Sequence, residues 1–456
     1  MNLFPISKFS ADSRPLDAVI SYDHIWKDAK YFRWEDFLKG TARLRAAIKK
    51  EDSKKWLLHI EDCWHFLLAF TALLQCKKEI LLTANISPSY IAEIKTADTS
   101  FITDQNIENA FQIEDMLNSS EKDTGEFPKI IAEESIIALY TSGTTGRPKV
   151  VRQRLLELEC DNNYVLLKWQ NEYLKRKLVS TVSQHHIYGL LYNVLLPFTA
   201  GIPFRRTRIS YPQDFETLTD ESYMIITVPA FLKRTVDLYD SPLPLKDPYI
   251  WTSGGEVSFD IAKKTNTILG AWPFEVYGST ETSGVAWRIS KNSAEWTPYD
   301  TVKISKNDAD CLVVRSPFII NPLGFATGDL ADIHSDGRFT LLGRADSIVK
   351  IEEKRISLTE VEKRLSQSGL VEDVCVVALQ DHRQYLAAAI VLNNDGKQKF
   401  ENSQKITINK FFSEYLLQFF ENIVIPKKWR FVDRIPLDTQ GKKKKLEVEA
   451  LFGGSK

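Results

Sequence analysis

The sequence predicts an α/β protein: a large domain built on a mainly parallel sheet, followed by a smaller α+β domain. Three observations predict it. Short apolar, β-branched runs alternate with helical patterns between residues 17 and 100, the rhythm of βαβ units. Several later strand-like runs each end in a loop of glycines and hydroxyls, and strand C-termini are where open α/β sheets bind ligands. From Ser347 to Lys456 the spacing changes to a few helices and two longer strands. At 456 residues and 43% hydrophobic content the chain exceeds one typical domain and can bury a large core.

The elements follow in order. Trp34 to Leu38 opens an amphipathic helix that continues through Leu44 and Ile48. Trp56–Ile60 reads as a strand, Cys63–Leu74 as a core helix and Glu79–Leu82 as the next strand. His59 and His65 have no carboxylate or cysteine at ligand spacing, which favours packing over metal binding. A buried strand at Ile136–Tyr140 then runs into Thr141-Ser142-Gly143-Thr144-Thr145-Gly146-Arg147-Pro148-Lys149. Glycines let successive N–H groups face one anion, hydroxyls add donors, and lysine supplies a point charge for phosphate. A flexible turn is the plain alternative. It is not a Walker A loop, because Pro148 stands at the second glycine and Val150 follows the lysine.

Leu155–Leu174 reads as a helix and Leu178–Val182 as a strand, followed by His185-His186-Ile187-Tyr188-Gly189. Paired histidines suggest zinc, but no further ligands lie nearby. Met224–Pro229 is another strand. Ile250 to Thr252 leads into Ser253-Gly254-Gly255-Glu256, where bare backbone can form a flat wall for a nucleobase. Phe274-Glu275-Val276-Tyr277-Gly278-Ser279-Thr280-Glu281 repeats the design. Tyr277 can stack on a base, Thr280 can reach a phosphate, and Glu281 can hold magnesium through oxygen. Each also has an ordinary structural use. Next come Thr327-Gly328-Asp329 and, past a hairpin at Ser335–Arg338, Gly343-Arg344-Ala345-Asp346. Aspartate can accept from both ribose hydroxyls, and Arg344 can reach ribose or phosphate. The last domain holds a helix at Leu358–Leu365, strands at Asp373–Leu379 and Tyr385–Leu392, and a helix at Ile408–Phe420. Gly441-Lys442 opens the only run of like charge, Lys442–Lys445.

A net charge of −1 argues against a general nucleic-acid binder. No stretch is long enough for a membrane span, and the first residues do not form a signal peptide. The five scattered cysteines fit a reducing cytoplasm better than a disulfide framework.

In this order the motifs resemble the adenylate-forming superfamily: acyl-CoA synthetases, adenylation domains of peptide synthetases, and luciferases. The resemblance runs from about Trp34 to Lys442. It implies a large N-terminal AMP-binding domain, residues 1–345, of βαβ units with a distorted barrel. Asp346 would be a hinge, and residues 346–456 a mobile lid. It further implies an AMP-forming acid–thiol ligase that uses ATP and Mg2+. A carboxylate attacks the α-phosphate to give acyl-AMP, and a thiol then displaces AMP. Lys442, Glu281 and Thr141 would be catalytic, with Lys442 bridging carboxylate and α-phosphate and Glu281 holding the metal. Thr141, Ser142, Gly143, Thr144, Thr145, Gly146 and Lys149 would cradle the β- and γ-phosphates. Gly254, Gly255, Glu256, Tyr277, Gly278, Ser279 and Thr280 would border the nucleotide, and Asp329 with Arg344 would hold ribose. His186, Gly189 and Gly278 would lie beside the acyl group.

Two positions depart from the family pattern. Val150 replaces a glycine after the phosphate-loop lysine, and Glu353 replaces one along the pantetheine tunnel. Glu353 points away from ordinary CoA use. With its short length, the chain is most similar to the compact ligases of aryl-polyene pathways, which load aromatic or acyl acids onto an acyl carrier protein. The expected substrate is therefore an aromatic or medium-chain acid, with a carrier-protein phosphopantetheine as acceptor. Free CoA is the alternative acceptor, and a non-catalytic nucleotide sensor of the same fold is the alternative from another class.

Overall fold

The computed structural model describes residues 3–453, apart from 26–27, 121–122, 124–126, 143–147, 219–220, 292–293, 352–353, 382 and 438–442. The chain forms two compact units, Met1–Ile304 with Val314–Phe325, and Ser305–Val313 with Ala326–Lys456.

The first unit contains two large sheets. In one, six strands run in the order Phe111–Gln112, Thr99–Thr103, Lys55–His59, Glu79–Leu82, Ile136–Ser142, Pro148–Arg154. Every neighbouring pair is parallel except the last, which is an antiparallel hairpin. Trp56, Leu57, Leu58, Ile80 and Leu82 are buried, as strands covered on both faces require. The helix Trp34–Ile48 buries Trp34, Phe37, Leu44 and Ile48, one stripe at helical spacing. The helix Cys63–Gln75 is buried on all sides, and its N-cap Asp62 accepts the His65 N–H at 2.9 Å.

The second sheet has nine strands, with a parallel centre of Phe274–Ser279, Lys246–Thr252, Ser222–Thr227, Lys177–Ser180 and Phe204–Arg205. Val19–Ile25 continues the parallel run beside Phe204–Arg205, and antiparallel strands close the ends: Ser283–Ile289 and Thr297–Pro298 at one, Asp28–Arg33 at the other. The Val19–Ile25 pair and the strand Pro148–Arg154 were not expected from the sequence. Pro148–Arg154 carries Arg152 beside Val150 and Arg154, where a buried strand would alternate apolar, and Asp28–Arg33 carries Asp28 and Lys30 on the same alternation as Phe32.

The second unit is built on Val371–Gln380, Gln384–Leu392 and Lys428–Phe431. Alternation sends Val374, Val376, Leu386, Ala388 and Ile390 to one face, against Val361, Leu365, Phe412 and Leu416 of two helices. Cys375, Val377, Ala387 and Ala389 face the other way and are covered by Ile435, Val448 and Phe452. Two apolar faces explain why these strands lack a polar side. The helix expected at Ile408–Phe420 spans Lys405–Leu416. All five cysteines are free. Among the described residues no helix is long and apolar enough to cross a membrane.

Candidate active site

The hydroxyl-rich loop of residues 143–147 lies outside the described residues, but its two arms are clear. Ile136–Ser142 and Pro148–Arg154 pair in register, with Thr141 opposite Lys149 and Ser142 opposite Pro148. Lys149 therefore stands near the start of the second strand of an antiparallel pair. The Thr141 hydroxyl donates to the Lys149 carbonyl at 3.4 Å. The Lys149 ammonium forms an ion pair and hydrogen bond with the Glu281 carboxylate. Partial burial pushes the Glu281 acid up, but the Lys149 hydrogen bond and charge outweigh it and hold it below the usual range. Glu281 is thus a carboxylate at neutral pH, facing a cation 132 residues away in sequence.

Glu281 stands in the tight turn between Phe274–Ser279 and Ser283–Ile289. Gly278 is needed there: a Cβ on it would sit 2.1 Å from the Ser283 carbonyl oxygen. The Ser279 N–H donates to the Thr282 hydroxyl at 3.0 Å, and Ser283 takes a left-handed φ of 55°. The Gln153 amide donates to the Thr280 carbonyl at 2.8 Å. The Gly284 N–H donates to Asp161 Oδ2 at 2.6 Å. Gln153, Asp161 and Thr282 were not picked out from the sequence. Asp161 did leave a signal, a carboxylate on the same helical stripe as the apolar Leu158 and Val165.

Gly254 has φ 88°, the left-handed conformation that favours glycine, whereas a Cβ on Gly255 would make ordinary contact with Pro229 at 3.7 Å. The backbone just beyond is tied down from the neighbouring strand. Glu275, 1% exposed, accepts the Val257 N–H at 3.0 Å and pairs with Arg288 through Nε–Oε1 at 2.8 Å and Nη2–Oε2 at 3.1 Å. Arg288 also reaches Glu256 at 3.3 Å and lies over the Trp296 ring, which packs 5.6 Å from Tyr277. Gly255, Glu256 and Tyr277 are therefore borders of one rigid corner, held by a Glu–Arg pair that the motif pattern did not include.

His186 occupies the N-cap position of the helical segment that starts at Ile187, without a side-chain cap bond, and a π-helical turn follows at Leu190–Leu195. Gly189 has a packing reason, since a Cβ there would lie 2.0 Å from the Ser183 carbonyl oxygen. The histidines do find carboxylates: Glu61 lies 3.7 Å from His59, and Glu114 lies 3.6 Å from His65. Glu61 stands only two residues from His59 and was passed over in the sequence, whereas Glu114 comes from the distant helix Ile113–Asn118. His59, Glu61 and His185 bring metal-capable atoms within 4.8 Å of one another. Both ring nitrogens of His185 are committed elsewhere, however. His185 Nε2 accepts the Ile60 N–H at 3.0 Å, and its Nδ1 meets the Ser183 hydroxyl at 2.8 Å. Its ring stacks on His59 at 4.0 Å and 9°, so their ring-plane lone pairs run parallel instead of converging. Burial, with the neighbouring His59, drives the His185 imidazole well below its ordinary value.

In the second unit, Asp329 and Arg344 face each other in a hairpin register, with Nη1–Oδ1 at 3.3 Å. Asp346 falls within the short turn Ala345–Ser347. Lys442 and Glu353 lie outside the described residues. The rest of the lysine run is assigned: Lys443 meets Asp373 at 3.1 Å and Glu362 at 3.6 Å, Lys444 meets Glu447 at 2.7 Å, and Lys445 donates to Ser347 at 3.2 Å. Burial opposes the Lys443 charge, but the two carboxylates prevail and raise its pKa.

Comparison with known proteins places these features in a family. The family model described as "AMP-binding enzyme" matches residues 46–315, and "AMP-binding enzyme C-terminal domain" matches 360–442. A probable CoA ligase of Humulus lupulus is 26% identical over 388 residues, covering 70% of this chain and 63% of that protein. A malonate–CoA ligase of Arabidopsis thaliana is 22% identical, covering 73% and 63% respectively. The chain thus spans under two thirds of these relatives' length. Among solved structures, o-succinylbenzoate CoA synthetase of Bacillus subtilis, with its acyl-adenylate, superposes with TM-score 0.80 at 15% identity, covering 98% of this chain and 99% of that one. ATP-bound MatB of Rhodopseudomonas palustris gives 0.79 at 15%, covering 96% and 97%. At that identity these two establish the shared fold, a mixed α/β domain followed by a smaller one.

Proposed function

Because the chain belongs to the AMP-binding enzyme family, we propose that it is an AMP-forming acid–thiol ligase. A carboxylate oxygen attacks the α-phosphorus of ATP and pyrophosphate leaves, giving acyl-AMP. A thiol then attacks the acyl carbonyl and loses its proton, AMP leaves, and a thioester forms. The observation that carries this reading is the Lys149–Glu281 pair, which joins the strand after the hydroxyl-rich sequence to a locked turn.

Both reactants of the first step are anions, so the barrier is dominated by charge repulsion and positioning. Lys149 and the Thr141 hydroxyl suit the triphosphate. Magnesium, when bound, would supply further neutralisation of the phosphates. The donor set fits it: Glu281 is one ionised carboxylate, and this ion commonly takes one or two carboxylates with phosphate oxygens and water. Gly255, Glu256 and Tyr277 would border adenine, and Asp329 with Arg344 would hold ribose. His186 and Gly189 would lie beside the acid. Lys442 would approach the α-phosphate during the first step only, with the lid turning about Asp346 between steps.

The acceptor has two supports that point differently. The relatives named as CoA ligases favour free CoA. Glu353, with lysines and arginines nearby at Lys350, Lys354, Arg355, Lys363 and Arg364, favours the phosphopantetheine of an acidic acyl carrier protein. The deciding experiment is acid-dependent pyrophosphate exchange over aromatic, medium-chain and dicarboxylic acids, then thioester formation on CoA and on holo carrier protein. Carrier preference that weakens with salt supports docking; efficient, salt-insensitive turnover with CoA assigns the acceptor to CoA. No acid-dependent exchange with any acid would refute the ligase reading and favour a nucleotide sensor.

A further inference from the structure

One continuous stretch, the strand Pro148–Arg154 and the helix Leu155–Tyr173, holds the turn that carries Glu281 at three points. Lys149 takes the Glu281 side chain, Gln153 takes the Thr280 carbonyl, and Asp161 takes the Gly284 N–H. The third hold differs from the others. Asp161 is completely buried, and it accepts the Gly284 N–H at 2.6 Å and the Tyr192 hydroxyl at 2.9 Å. An apolar residue would be the ordinary choice on this face of the helix, beside Leu158 and Val165. The turn is shaped to receive the carboxylate. A Cβ on Gly284 would lie 3.1 Å from Asp161 Oδ2 and 2.6 Å from the Tyr299 ring, so only a bare backbone reaches this close.

We propose that Asp161 is a positioning residue that fixes the Gly278–Gly284 turn through the Gly284 amide and joins it, through Tyr192, to the π-helical turn after His186–Gly189. Thr280 and Glu281 then stand on a turn with both ends anchored: Gly278 by its close fit against Ser283, and Gly284 by Asp161. Tyr192 extends the same anchor to the segment assigned to the acid, so phosphate-side and acid-side groups share one buried carboxylate. The catalytic consequence rests on the ligase reading above, whereas the effect on the turn does not.

The test compares Asp161→Asn with Asp161→Leu in the full-length chain. Asparagine can present its carbonyl oxygen to Gly284 and its amide to Tyr192, whose hydroxyl then rotates. Leucine fills the space and offers no acceptor. Amide hydrogen exchange over residues 277–284 is followed without substrate, together with kcat and KM in pyrophosphate exchange. The expected result is tenfold or faster exchange in D161L, confined to that segment and the Leu190–Leu195 turn, with D161N close to the parent. In activity, kcat falls at least tenfold in D161L and is rescued in D161N. Unchanged exchange at 277–284 in a folded D161L overturns the proposal whatever the activity; so does equal loss in both variants. Should D161L not fold, Gly284→Ala breaks the contact from the other side and must give the same local exchange signature. Absence of activity in the parent would refute the ligase reading while leaving the exchange result standing.

Discussion

Arg288→Met isolates the Glu–Arg pair that holds the corner at Gly254–Val257. Glu275 is 1% exposed and Arg288 6%, so neither charge is relieved by water. Two hydrogen bonds join them at 2.8 and 3.1 Å, and the Ser290 hydroxyl and Val257 N–H complete the Glu275 shell at 2.6 and 3.0 Å. Methionine keeps most of the volume but leaves a buried carboxylate without its counter-charge, a change that costs about 3–5 kcal/mol. At about 2 °C per kcal/mol for a large domain, the thermal midpoint falls by roughly 6–10 °C. The double variant gives the sharper test. Glu275→Gln combined with Arg288→Met should recover at least half of the lost midpoint, since no charge remains buried. A midpoint within 2 °C of the parent in Arg288→Met, or no recovery in the double variant, would refute this account.

The other predictions concern the lysines and the metal carboxylate. Lys442→Ala should abolish pyrophosphate exchange while sparing thioester formation from supplied acyl-AMP; equal loss of both half-reactions removes its assigned role. Lys443→Met should instead lower stability by about 1 kcal/mol, because its partners Glu362 and Asp373 are partly exposed, and thermal melts with and without the substitution measure it. Glu281→Gln should raise the magnesium concentration needed for half-maximal exchange at least tenfold. It should leave the thermal midpoint within a few degrees, since the Lys149 partner is mostly exposed.

Much of this architecture was legible in local sequence. The helices Trp34–Ile48 and Cys63–Gln75 and the strands Glu79–Leu82 and Phe274–Ser279 follow from apolar spacing, because their burial repeats at a fixed period. The motif residues were legible for another reason: Gly278 and Gly254 answer to backbone constraints that only glycine meets. What stayed hidden was long-range pairing. Pro148–Arg154 pairs only on one side and carries Lys149, Arg152 and Arg154, so its pattern is that of a sheet edge. Glu275–Arg288 could not be read because only the antiparallel register of two strands makes them neighbours. Helix Lys405–Leu416 ends before Phe420 although the apolar spacing continues, and periodicity alone has no means of marking that stop.

Asp161 carries a thermodynamic signature of the role proposed for it. Burial raises its pKa from the ordinary 3.8 to about 6, outweighing the Gly284 N–H and Tyr192 hydroxyl, which favour the charged form. The sign follows directly. An acid whose folded pKa lies above its unfolded value contributes nothing unfavourable below about pH 4, where both states hold the proton. Between there and about pH 6 the unfolded chain ionises more readily, so stability falls as pH rises, by about 3 kcal/mol at neutral pH. Asparagine cannot ionise and escapes this loss while keeping an acceptor for Gly284. The stability of D161N relative to the parent should therefore be near zero at pH 4 and rise to about 3 kcal/mol by pH 7, read as a divergence of thermal midpoints. Subtracting one variant from the other cancels every other acid in the chain. Parallel midpoints from pH 4 to pH 7 would mean that the buried carboxyl costs the fold nothing. A gain in D161N that grows from pH 4 to pH 7 would show that an ionised carboxyl is held at Gly284 against the stability of the first unit.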